Sequence, residues 1–349
     1  MIPLLEARQL TKIFESGMIA KKQTVALRDF SMSITTEQPS ITAVVGESGS
    51  GKTTMARLLL GLETPTEGKV LHRGKDLAQL NRREWLAFRR EVQAIFQDPF
   101  EVYNPFYRVD HVLEVPIAKF GLANSKRERR RLIESSLQAV GLRPRETLGR
   151  FPHQLSGGQR QRIMVARALL MKPKLIIADE PVSMIDASLR ATVLDNLRHL
   201  NERFGISIIY ITHDLTTAFQ ISHNILVLYR GGVTEAGDVE LVVKDPEHPY
   251  TRLLVGSIPL PNPDRVWREQ PEPSALSAQA KEGQGCSFAP RCPQAFEPCL
   301  EKAPPLYCTN PSRAVTCYLY EEHVELPAVE MDSVMCVPQD VTAVEEAQV

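Results

Sequence analysis

No apolar stretch in the 349 residues approaches the ~20 consecutive residues a helix needs to cross a bilayer. The first ten residues carry Glu6 and Arg8 and lack the apolar core of a secretory leader, so a cytosolic protein with at most a peripheral membrane role is expected. Charge of one sign is also missing. Lys and Arg number 41 against 42 Asp and Glu, a net charge of -1, whereas a dedicated nucleic-acid binder carries a basic footprint. Cysteine is absent from the first four-fifths of the chain. All six (Cys286, Cys292, Cys299, Cys308, Cys317, Cys336) fall near the end, and in a reducing compartment such clustering favours a metal over disulfides. Lys and Arg disappear after Arg313, and the acidic, aperiodic stretch 321–349 reads as a flexible tail. No internal repeat is visible.

What is present is an α/β pattern. The length exceeds one typical domain, so a main domain with an appendage is expected. From residue 4 to about 245, short apolar runs alternate with helical patterns, the mark of a largely parallel core. Residues 41–45, 175–178 and 206–211 are continuous, rich in β-branched side chains and read as buried strands. Residues 82–150 are charged and helical. Their densest basic run, 126–131, reads as a solvated helix face because Glu128 and Glu134 are interspersed. Pro259, Pro261, Pro263, Pro271 and Pro273 then mark an extended linker ahead of the cysteines.

Gly46-Glu47-Ser48-Gly49-Ser50-Gly51-Lys52-Thr53 fits G-x-x-x-x-G-K-[ST] without a mismatch and directly follows the strand 41–45. The glycines let successive N–H groups turn inward onto phosphates, and the following helix adds its dipole. Lys52 should reach the β- and γ-phosphates of ATP, the Thr53 hydroxyl should bind Mg²⁺, and Thr54 continues the site. Residues 175–180 form an apolar strand ending in two carboxylates. Asp179 is placed to hold Mg²⁺ and Glu180 to orient and deprotonate the attacking water.

Smaller pieces complete the set. Gln97 follows an apolar run and is placed to contact Mg²⁺ and the water; His213 ends another strand and is placed near the γ-phosphate. Phe14 is a candidate for stacking on adenine, with a packed core position as the equal alternative. Further on, Leu155-Ser156-Gly157-Gly158-Gln159 opens a helix with apolar Ile163, Ala166, Leu169 and Leu170. Ser156 is a favoured N-cap, and Gly157 and Gly158 permit close approach to an anion, so this is a second phosphate-recognising helix start. Two such starts on one nucleotide imply two chains clamping two ATPs, with Gln159 and Asp186 near the seam.

These motifs, in this order, resemble the ATPase subunits of ABC transporters. The resemblance implies an α/β P-loop NTPase fold: a RecA-like core, an N-terminal antiparallel β-subdomain and a helical subdomain (about 82–165) bearing the signature, all within 1–245. Phe96-Gln97-Asp98-Pro99-Phe100, Phe151-Pro152-His153-Gln154, residues 180–188 and His248-Pro249-Tyr250-Thr251-Arg252-Leu253-Leu254 are similar to the oligopeptide/dipeptide importer branch. So are Cys286, Arg291-Cys292-Pro293, Cys299 and Cys317, which place a small cysteine-rich extension at 246–320. The resemblance implies ATP hydrolysis at the cytoplasmic face of the inner membrane. Its implied partners are a second ATPase subunit, same or related, two membrane permeases and an extracytoplasmic binding protein. Oligosaccharide transport stays open, since the ATPase never touches the cargo. A soluble member acting on nucleic acid or ribosomes fits less well, because the interval between P-loop and signature is compact and one cassette is present.

Cys286, Cys292, Cys299 and Cys317 are separated by five, six and seventeen residues, not the tight pairs of common zinc sites. Four thiolates could still hold a [4Fe–4S] cluster, the preferred reading, or Zn²⁺. Reduced cysteines packed in a small lobe are the alternative.

Overall fold

The apolar runs become strands where the β-branched residues placed them. The structure, a computed structural model, describes residues 2–16, 22–97, 103–183, 185, 187–258, 273–274, 276–280 and 284–335. The chain divides into two compact units, one of residues 1–35, 42–77 and 212–339, the other of 36–41, 78–211 and 340–349.

In the first unit, β1 (Leu5–Ser16) and β2 (Lys22–Ile34) pair antiparallel, with β4 (Glu67–His72) and β5 (Lys75–Asp76) beyond β1. This is the expected N-terminal antiparallel sheet, and Leu5, Leu10, Leu27 and Phe30 bury its inner face. A second sheet begins with β3 (Ile41–Val45), buried at all five positions and parallel to β9 (Asn224–Tyr229). Burial on both faces explains why these strands are unbroken apolar runs rather than alternating ones. β10 (Gly232–Asp238) turns back on β9. Beyond it lie β12 (Arg313–Val315), β11 (Tyr307–Asn310) and β13 (Val324–Glu325), all antiparallel. The cysteine-rich extension is therefore hydrogen-bonded, through β12, to a strand that begins at Gly232. At Gly237 (φ 144°) a Cβ would lie 2.1 Å from the Ser312 oxygen, so only glycine admits that approach.

The expected flexible tail is ordered up to Met335. Val324 and Glu325 supply β13, and a 3₁₀ stretch, Ala328–Val334, buries Met331 and Val334. Asp332 Oδ1 accepts the Ser33 N–H of β2 at 2.9 Å. Two apolar side chains and one side-chain acceptor anchor a segment whose composition alone is that of a tail. Residues 336–349 of that expectation, and the proline-rich linker at 259–275 except residues 273–274, lie outside the described residues.

In the second unit, β6 (Val92–Ile95), β7 (Leu175–Asp179) and β8 (Ser207–Thr212) run parallel. The helices Asp110–Phe120, Lys126–Ala139 and Gly157–Leu169 bury Leu113, Ile117, Ile133, Leu137, Ile163 and Met164. The basic run is the outer face of the helix Lys126–Ala139, capped by Ser125 and braced by an Arg130–Glu134 pair one turn apart. Among the described residues, no helix is long and apolar enough to cross a membrane.

Candidate functional site

In the first unit the chain leaves buried β3 at Gly46 and begins to wrap. A Cβ at Gly46 (φ 152°) would sit 2.2 Å from the Leu228 oxygen, and one at Gly51 (φ 107°) 2.3 Å from the Ala26 oxygen. Both positions need positive φ and bare backbone, which dictates glycine. Gly51 is the N-cap of the helix Lys52–Leu59, and no side chain caps that helix. The N-terminus of that helix is thus formed by bare backbone on the side of the loop. Lys52 is buried and folds back so that Nζ donates to the Gly46 oxygen at 2.7 Å and the Glu47 oxygen at 2.9 Å. Ser48, Gly49 and Thr53 are exposed, Ser50 is buried and Thr54 half-buried. Phe14, on β1, is 40% exposed with Lys12 Nζ 4.9 Å from its ring centre, so it is not a core residue. His213, just beyond β8, is exposed.

The loop at Gly46–Thr53 is gripped from the far end of the sequence. Arg291 donates through both terminal nitrogens to the Glu47 carboxylate, at 2.9 and 3.1 Å. That bonding raises the Arg291 guanidinium above its ordinary value. The Glu47 N–H donates to the Tyr250 hydroxyl at 2.9 Å. Tyr250 is buried against Tyr229 and Phe288, and burial pushes its phenol up to about 12. Its position is fixed from below. Glu235, fully buried on β10, accepts the N–H groups of Glu247 and His248, each at 3.0 Å. His248 then caps the helix Pro249–Gly256, its Nδ1 accepting the Tyr250 N–H at 3.0 Å. Burial pushes the Glu235 carboxyl up to about 7 and the His248 imidazole down to about 3. Arg291 and Tyr250 were legible only as pieces of a sequence pattern. Nothing local in the sequence indicates that either meets Glu47.

In the second unit, Asp179 ends β7 as a buried carboxylate. Glu180 follows with φ 47°, a left-handed conformation that costs a non-glycine residue strain on the order of 1–3 kcal/mol. Its N–H donates to the Ile211 oxygen at 2.9 Å. Gln97 Nε2 donates to Glu180 Oε2 at 2.9 Å, so two residues picked separately from the sequence are in direct contact. Asp179 and Gln97 offer a carboxylate and an amide oxygen, hard donors of the kind Mg²⁺ prefers, and in the first unit Thr53 offers a hydroxyl of the same hard kind.

The signature helix Gly157–Leu169 opens at exposed Ser156 with a reciprocal capping box. Ser156 Oγ accepts the Gln159 N–H at 3.2 Å, and Gln159 Oε1 accepts the Ser156 N–H at 3.0 Å. Gly158 is buried and Gly157 half-buried; Arg160 is buried and donates to the Pro152 oxygen at 3.1 Å. Asp186 lies outside the described residues.

Cys286, Cys292, Cys299 and Cys317 are free thiols lining one small cavity with His248, Phe288 and Phe296. Burial pushes Cys286 up to about 11 and Cys317 up to about 12, so both are protonated at neutral pH. Among the described residues, no group of three or more His, Cys, Asp or Glu side chains is gathered so as to hold a metal ion. The thiols converge on one cavity without forming a ligand set.

Residues 27–183 match the ABC transporter family, and residues 234–299 match the oligopeptide/dipeptide transporter C-terminal region. The "Probable peptide ABC transporter ATP-binding protein y4tS" of Sinorhizobium fredii is 39% identical over 93% of this chain and 91% of its own length. The dipeptide transport ATP-binding protein DppF of Haemophilus influenzae is 36% identical over 90% of this chain and 96% of its own. Among solved structures, the ATP-binding cassette MJ0796, a dimer in a post-hydrolysis state bound to ADP and Pi, is similar with a TM-score of 0.60 and 29% identity. It covers 67% of this chain and 98% of its own. A phosphate loop, a carboxylate pair closing a buried strand and a capped signature helix thus coincide with full-length sequence likeness: the chain belongs to the ABC transporter family as one of its ATP-binding ATPase subunits.

Proposed function

We propose that this chain binds and hydrolyses ATP to energise an importer of oligopeptides or dipeptides, working as a peripheral subunit on the cytoplasmic face of the inner membrane. The observation that carries the catalytic part is Glu180, held in left-handed backbone at the end of a buried strand with its carboxylate hydrogen-bonded by Gln97. The cargo class rests on the matching C-terminal region and on what the relatives' names say of them.

In this reading the first N–H groups of the helix Lys52–Leu59 and the Lys52 ammonium bind the β- and γ-phosphates, with Gly46 to Thr54 forming the cradle. Phe14 stacks on the adenine. Thr53, Asp179 and Gln97 would hold Mg²⁺, which would neutralise phosphate charge. Glu180 takes a proton from water as the water oxygen bonds to the γ-phosphorus and the bond to the β-phosphate oxygen breaks; His213 steadies the γ-phosphate. Gln97 sets the carboxylate's orientation beforehand and must release it as water enters. Ser156, Gly157, Gly158, Gln159 and Asp186 serve the nucleotide of a second ATPase subunit, same or related. The complex further contains two membrane permeases and draws on an extracytoplasmic binding protein. The four thiols around one cavity support a cluster-holding lobe in this reading, and a cluster would have to draw them together. Metal analysis after anaerobic isolation tests that part.

The functional test is Glu180→Gln in the chain co-expressed with its permeases. ATP binding is expected to persist while hydrolysis falls by about 10²–10⁴-fold and uptake of labelled oligopeptide stops. Unchanged steady-state hydrolysis sinks the assignment of the base. Normal hydrolysis stimulated by a sugar and by no peptide sinks the assignment of the cargo.

A further inference from the structure

The segment after β10 does more than extend the sheet: it reaches the phosphate loop at one residue, Glu47, and holds it at two points. The backbone N–H of Glu47 is taken by the Tyr250 hydroxyl and its carboxylate by both terminal nitrogens of Arg291. The same residue's carbonyl oxygen is one of the acceptors of Lys52 Nζ. Any shift of Glu47 is therefore passed directly to the phosphate-binding lysine.

Arg291 is itself firmly seated. It ends the 3₁₀ turn Ala289–Arg291, which is closed by Cys292 donating its N–H to the Ala289 oxygen. The Cys292 oxygen accepts from Ser277 Oγ at 2.9 Å and from the Ser274 N–H at 3.2 Å. Phe288, fully buried one turn earlier, packs edge-on against Tyr229, and the Arg291 guanidinium lies over both rings. The guanidinium is thus preorganised, which is the condition under which a half-exposed bidentate pair contributes beyond the usual small value of a surface ion pair.

We propose that Arg291 is a positioning residue for nucleotide binding, through which the cysteine-rich lobe sets the affinity of the phosphate loop in the same chain. Arg291 anchors the loop and neutralises a carboxylate that would otherwise face the incoming phosphates. The proposal rests on the reading of Gly46 to Thr53 as the ATP loop and adds to it a long-range determinant of how that loop is held.

The test is equilibrium binding of MgATP to the isolated full-length chain, with thermal midpoints recorded for each variant. Arg291→Ala is expected to weaken binding about five- to tenfold, because it frees the loop and leaves the Glu47 charge unpaired. Arg291→Lys keeps the charge without the planar fork and should lose about half as much on a logarithmic scale. Adding Glu47→Gln to Arg291→Ala should recover most of the loss, since it removes the exposed charge. Simple destabilisation of the fold would not be repaired that way. Wild-type affinity in Arg291→Ala and Arg291→Lys overturns the proposal, as does a double variant weaker than Arg291→Ala alone. Lys52→Ala is the control. If it loses binding while the Arg291 variants do not, only the positioning role falls; if it too binds as wild type, the loop assignment falls with it.

Discussion

The two helix starts that the sequence offers as phosphate sites are finished in opposite ways. The helix Lys52–Leu59 begins at a left-handed glycine, which has no side chain with which to cap it. The helix Gly157–Leu169 begins at Ser156 with a closed capping box that satisfies its first donors from within. A helix N-terminus entered from a glycine leaves room for an anion to approach its positive end. One that is capped is stable without any ligand, and an exposed serine at its tip is free to meet a phosphate brought by another molecule. The contrast matches the proposed division of labour: the first loop binds the chain's own nucleotide, the second awaits a partner's.

The largest expected effect separates the two sites. Lys52→Ala should weaken MgATP binding to the isolated chain by at least tens-fold, corresponding to roughly 2–5 kcal/mol for removing a buried charged partner. Ser156→Arg should leave that binding nearly intact while abolishing hydrolysis in the assembled complex. A large loss of affinity in isolated Ser156→Arg would merge the two sites into one and break the contrast. A smaller effect concerns the cap itself. Ser156→Ala should lower the stability of the chain by about 1 kcal/mol, readable in denaturant titration. No side chain caps the first helix, so there is no equivalent substitution to make there.

A pH-dependent effect tests the support under the first loop. His248 is neutral and buried, its imidazole pushed down to about 3. The unfolded chain binds a proton there that the folded chain does not, so its contribution is present above about pH 6.5 and is lost as pH falls toward 3. Glu235 has the opposite sign. Its carboxyl is pushed up to about 7, so its contribution is present below its ordinary value near 4.5 and is lost as pH rises to 7. Between about pH 4.5 and 6.5 the two oppose each other. His248→Asn keeps an acceptor for the Tyr250 N–H and removes the titration. Stability of that variant, relative to wild type, should improve steadily as pH falls from about 6.5 to about 4. A pH-independent difference would show that the imidazole is not the buried titrating group.

Contiguous chemistry was legible in the sequence. The phosphate loop, the strand closing on Asp179 and Glu180, and the Ser156 cap are each encoded within a few neighbouring residues, where local geometry dictates residue type. Pairings between distant segments were not. Gln97 and Glu180 were each singled out, yet their contact depends on how β6 and β7 lie side by side. Arg291 and Glu47 are joined by side chains from opposite ends of the chain, and no periodicity signals such a meeting. Phe14 could be either core or surface from its β-strand neighbours, and its exposure decides for the surface. The ordered segment Ala328–Val334 was missed because one short turn with two buried apolar residues is too brief to register as a pattern.

That segment also bears on the order in which the protein can be made. Chains emerge from the ribosome N-terminus first, and units of structure fold as they become complete. The core of the second unit is drawn from residues 78–211, all available while the chain is still growing. The first unit opens with β1 and β2 but is closed by Asp332 reaching Ser33, and β10 waits for Arg313–Val315 before its outer edge is paired. The loop at Gly46–Thr53 therefore acquires its full surroundings only once Arg291, Arg313–Val315 and Asp332 have been made, after the unit encoded between its parts has had time to fold.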